Sequence, residues 1–88
     1  MKIESEKDFP EVRSKIKEWR QRFPMFAHDV KKIEDIIEQH IKNHSIAQVY
    51  YRQTKKKNYL EQAEKEIKAI ANAVEIAEKM ELMAILSR

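Results

Sequence analysis

No glycine occurs anywhere in the 88 residues, and that absence restricts the chain more than any motif it carries. Average usage of roughly 7% would give a chain of this length about six. Glycine supplies positive φ and close backbone approach without steric cost. Its absence excludes phosphate loops, dinucleotide-binding turns, EF-hand loops, nucleophile elbows and GxxG nucleic-acid clamps. Cysteine is also absent and proline occurs only twice. There is accordingly no disulfide framework, thiol nucleophile or cysteine-based zinc site. The combination points to an all-α fold, with helices joined by very few turns.

The length suits one domain near the lower limit for an independent core. Hydrophobic residues make up 42% and charged residues 38%, enough for a core if the two are sorted onto separate helix faces. The formal net charge of +3 permits an anionic partner without demanding one. No apolar run reaches the roughly 20 residues of a membrane span, so no membrane partner is expected. The opening Met-Lys-Ile-Glu-Ser-Glu-Lys is charged, unlike a signal or transit peptide. Cytoplasmic is therefore the default location.

Residues 1–7 alternate charge without an apolar face and read as a flexible leader, with 8–88 as a single helical domain. Asp8 and Glu11 stand in a capping-box relation, and Pro10 suits a first turn. Phe9, Val12, Ile16, Trp19 and Phe23 then recur at helical spacing, and Pro24 disfavours helical geometry at Phe23. A first helix is expected at about 9–22. Phe26, Val30, Ile33, Ile37 and Ile41 carry a second stripe, at about 25–43. Asn43-His44-Ser45 is the tight-turn candidate after it, and Ser45 with Gln48 forms another capping box.

A third helix then starts at about 46. Its stripe opens with Ile46, Val49 and Tyr50, lapses at Gln53 and Lys56, and resumes at Leu60, Ala63, Ile67, Ile70, Val74 and Ala77. With no Pro or Gly in the way, it is expected to run 46–86, about 60 Å at 1.5 Å per residue. A break near Lys57-Asn58 is the alternative. The expected architecture is a three-helix arrangement, two short helices packed on one long C-terminal helix.

Chemistry is sparse. His40 and His44 are four apart, a spacing at which two imidazoles can share a metal, but no third ligand follows from the sequence. The pair reads instead as a helix end where imidazoles suit the C-terminal dipole. None of the four serines has a histidine placed as base, since Ser45 and its neighbour His44 do not face each other on a helix. No catalytic, cofactor-binding or metal residue is assigned, and the chain is not expected to be an enzyme.

Two helix faces carry the functional expectations. Between Ile70 and Leu86, twelve positions are apolar and they lie most of the way round a helix, more than two short helices can cover. Ile76, Met80, Met83 and Leu86 are the interface candidates, for a homo-oligomer or a helical protein partner in a coiled-coil-like packing. This is the profile of a non-enzymatic interaction or adaptor protein. The alternative is a DNA- or RNA-binding accessory module. No acidic residue lies between Gln39 and Leu60, a window holding Arg52, Lys55, Lys56 and Lys57 beside Tyr59. Such cations neutralise phosphates and a tyrosine stacks on an unpaired base, and Arg13, Lys15, Lys17, Arg20 and Arg22 would enlarge the patch. The competing reading is a solvated helix middle. A helix-turn-helix fits poorly, because a recognition helix of this length is unnatural. The order of charge, basic in 42–59 and acidic in 60–86, favours antiparallel pairing of two copies.

Overall fold

The computed structural model describes residues 1–87, and all regular structure among them is helical. Helix α1 spans Phe9–Arg22, α2 Ala27–Thr54 and α3 Lys57–Leu86, with 3-10 turns at Glu6–Asp8 and Pro24–Phe26. Helices α2 and α3 form an antiparallel hairpin packed along its length, and α1 lies less closely against it. The molecule is a rod of 52 × 17 × 17 Å. The three-helix arrangement stands. The lengths are redistributed: one short helix packs on a hairpin of two long ones, rather than two short helices on one long one.

The bounds of α1 follow from its prolines. Pro10 sits in its first turn, where a missing N–H costs nothing. Pro24 pushes Phe23 to φ −127°, ψ 62° and ends it. The capping box lies one step earlier than the Asp8–Glu11 pairing. Ser5 Oγ accepts from the Lys7 N–H, while Asp8 Oδ2 accepts from the Glu4 and Ser5 N–H groups at 2.8 and 3.3 Å. The leader residues also bring Ile3 into the core.

The turn expected at Asn43-His44-Ser45 is absent, and α2 runs straight through it. His44 is the reason. It is 2% exposed and sits edge-on to Phe9, ring centroids 5.3 Å apart. With Ile37, Ile41 and Ala47 it continues the buried stripe at helical spacing. The chain reverses at Lys55 and Lys56 instead, two residues before the alternative break at Lys57-Asn58. Lys55 takes φ 59°, ψ 19° as the left-handed C-cap of α2, a conformation that costs a non-glycine residue about 1–2 kcal/mol. The first turn of α3 has no side-chain cap.

The core is a column along the hairpin. Ile37 and Ile70 are fully buried at its middle, with Val12, Ile16 and Val74 around them. Ala47, Ala63 and Ala77 are buried between the long helices and allow them to approach closely. One polar link crosses this interface: His40 Nδ1 meets Glu66 Oε2 at 2.5 Å, and Gln62 donates to the other carboxylate oxygen at 2.8 Å. His44 Nδ1 is buried without a partner. Leaving such an atom unpaired costs about 1–3 kcal/mol, against a ring contact worth about 0.5–1.5 kcal/mol. His44→Leu is therefore expected to raise the urea midpoint, by about 1 kcal/mol of stability. A lowered midpoint would count against the unpaired atom.

Candidate functional site

Two consecutive segments, the last turns of α1 and the start of α2, meet the distant last turns of α3 at one end of the rod. Together they line an open, largely apolar groove of about 340 Å³, bounded by Trp19, Phe23, Phe26, Val30, Ile33, Ala77, Met80, Met83 and Ala84. The groove owes its shape to Pro24. By stopping α1 at Phe23 and restarting the chain as a 3-10 turn, it sets Phe23 and Phe26 side by side, centroids 6.4 Å apart.

Glu81 pins the floor. Its carboxylate accepts the indole N–H of Trp19, and Lys15 and Arg22 approach at 3.9 and 3.3 Å. Two donors and one further cation of α1 thus converge on one acid of α3, largely shielded from solvent. A charge-assisted bond in such a place is stronger than an exposed one. Its effect is to hold the end of α1 against α3, so that the groove stays open beneath Met80 and Met83.

The four interface candidates divide. Met80 and Met83 line the groove and are 40% and 67% exposed. Ile76, 58% exposed, and Leu86, 75% exposed, are not among its lining residues and lie on outer faces of α3. Leu82 and Ile85 are exposed on the same turns. The groove's other wall, Trp19, Phe23 and Phe26, was missed in sequence. Its signal was a cluster of large aromatic side chains around Pro24.

The basic window lies at the opposite end and is not one helical face. Arg52 belongs to the last turn of α2, Lys55 and Lys56 form the turn itself, and Lys57 and Tyr59 open α3. Tyr59 stacks on Tyr50 across the hairpin, centroids 5.3 Å apart at 23°. Of the α1 cations expected to join them, Lys17 is exposed and makes no ion pair among the described residues, and the other four are engaged elsewhere. Arg13 binds Glu38 through two hydrogen bonds of 2.8 and 3.0 Å. Those bonds hold the Glu38 carboxyl below its ordinary range and the Arg13 guanidinium above its own. Arg20 pairs with Glu34, and Lys15 and Arg22 with Glu18 and Glu81. The pairs with Glu34, Glu38 and Glu81 link α1 to α2 and α3, those with Glu18 lie within α1 itself, and together they leave mainly Lys17 for a polyanion.

His40 and His44 do not converge on a common point: one bonds Glu66 and the other faces Phe9. Among the described residues no three His, Asp or Glu side chains come together as a metal site would require. No described helix is long and apolar enough to cross a membrane. No family model, curated protein or solved structure matches the chain.

Proposed function

We propose that the chain is a non-enzymatic helical interaction module whose partner is a second copy of itself, joined through the groove and the apolar turns of α3 around it. One observation carries the reading. Ile76, Met80, Leu82, Met83, Ile85 and Leu86 are all exposed within three turns of one helix, beside a groove that is itself apolar. Exposed apolar surface of this density marks an association site on a folded protein.

A second copy is favoured over an unrelated partner by the distribution of charge. Arg52, Lys55, Lys56 and Lys57 crowd one end of a rod 52 Å long, while the groove at the other end has Asp29 and Glu81 in its lining. A two-fold pairing at the groove, with its axis across the rod, sends the two basic ends in opposite directions. Like charges are then far beyond the roughly 8 Å screening length of physiological salt. A two-fold interface is also self-complementary, with projecting apolar side chains and a recess on the same patch, and Met83, 67% exposed in the wall of the groove, is such a side chain.

Sedimentation equilibrium of the wild type and of Ile76→Glu and Met83→Glu tests this. Both positions are exposed, so the helical circular dichroism should be unchanged. The wild type is expected to be dimeric and the variants monomeric, with at least a hundredfold loss of association. A wild type that stays monomeric at submillimolar concentration overturns the reading.

A further inference from the structure

At the end of the rod away from the groove, Arg52, Lys55, Lys56 and Lys57 are all exposed. None of them makes an ion pair among the described residues. Other lysines, Lys17 and Lys32 among them, are also without an ion pair there, and what distinguishes these four is that they cluster within six residues at one end of the rod. The placement also runs against local helix preference. Arg52 suits the negative end of α2, but Lys56 and Lys57 stand at the positive end of α3, with no acid in its first turn and no side-chain cap. An anion is what such a helix start favours.

Beside these cations is a cleft of about 430 Å³ between the N-terminal 3-10 turn and the hairpin, lined by Tyr51, Arg52, Tyr59, Leu60 and the carboxylate of Glu6 among others. Tyr59 is braced by its stack on Tyr50, and Lys55 Nζ lies 5.7 Å from the centre of the Tyr51 ring. Two held aromatic rings at the edge of a cation cluster offer π surface next to charge, the combination that binds an unpaired base and its phosphates. Glu6 makes the depth of the cleft unfavourable for phosphate and supplies an acceptor for a base amino group.

We propose that the hairpin tip binds single-stranded nucleic acid, with Arg52, Lys55, Lys56 and Lys57 on phosphates and one base in the cleft against Tyr51 and Tyr59. The site shares no residue with the groove, so it stands or falls independently of self-association. A duplex keeps its bases stacked and cannot fill the cleft. An anionic membrane surface would attract the lysines by charge alone but would make no use of the tyrosine-lined cleft beside them.

Fluorescence anisotropy with labelled oligo(dT) and oligo(U) of roughly 15 nucleotides, the matching duplex, and phosphatidylserine vesicles as competitor decides the matter. Single strands should bind with a log–log salt slope of about −2.8 for four phosphates. The triple variant K55Q/K56Q/K57Q, altered only at exposed positions, should bind at least tenfold more weakly with a flatter slope. Tyr51→Leu should weaken binding several-fold and leave the slope unchanged, with circular dichroism confirming the fold of each variant. The proposal is overturned by no binding at low salt, by duplex binding as tight as single strands, by vesicles that displace the oligonucleotide, or by variants that bind like the wild type.

Discussion

Trp19→Ala is expected to remove about 3–5 kcal/mol of stability, the largest loss from any single truncation in α1. Trp19 is 3% exposed, and its ring is the wide end of the stripe Phe9, Val12, Ile16, Trp19 and Phe23 that seats α1 on the hairpin. Truncation opens a cavity under the groove and strips Glu81 of its indole donor. At about 0.05–0.15 kcal/mol per residue, a chain of this size has about 4–13 kcal/mol in all. The loss is therefore a large fraction of the total, and at the lower end the variant is unfolded at room temperature. Urea titration followed by far-ultraviolet circular dichroism measures it. Trp19→Phe keeps one buried six-membered ring while deleting the N–H and shrinking the indole, so its loss sets an upper bound on the contribution of the indole donor. It should cost about 1–2 kcal/mol. A Trp19→Ala midpoint within error of the wild type would mean that α1 does not dock as described.

The same residue shows what was legible in the sequence and what was not. The stripe from Phe9 to Phe23 gave α1 its bounds, because proline punctuates both ends and periodicity fills the space between. Nothing in that stripe says that Trp19 and Phe23 finish beside Met80 and Met83. That meeting depends on where the later chain reverses, a long-range event decided by packing. The apolar excess of α3 is visible as composition, and it names Met80 and Met83, which line the groove, as interface candidates. Glu81, one acid among several on that helix, is not named by it, because its role comes from Trp19, Lys15 and Arg22 on another element.

The reversal itself was misplaced for a physical reason. Asn43-His44-Ser45 looks like a turn because all three residues are polar, and a polar residue was not expected in the buried stripe. His44 enters it by presenting its ring to Phe9. The true turn contains no glycine, proline or asparagine to mark it, and the positive φ falls on Lys55. The lapse of the stripe at Gln53 and Lys56 was its only trace. A hydrophobic stripe that stops is thus a better guide to this turn than turn-forming residues are. Lys55 occupies a position that glycine would fill at lower cost. Retaining a lysine there accords with a tip whose charge is used.

Proline substitutions at two positions separate the two topologies. In α2 as observed, Ser45 is interior, and Ser45→Pro deletes a helical hydrogen bond and drives its ring into the carbonyl of Ile41. The expected cost is about 3 kcal/mol or more. It is compounded because proline disfavours helical geometry at the preceding residue, here the buried His44. Lys57 is the first residue of α3, where the N–H has no helical acceptor to lose. The residue before it, Lys56, already lies at φ −80°, ψ 127°, the region a residue before proline prefers. Lys57→Pro should then be neutral or stabilising by up to about 1 kcal/mol, through a less flexible unfolded chain. Had the chain turned at 43–45 and continued as one helix to 86, the order would reverse. Ser45 would be a cap at the helix start and tolerant of change, while proline at 57 would break a helix interior. Thermal melts of the two variants beside the wild type therefore locate the hairpin turn by the sign of their difference.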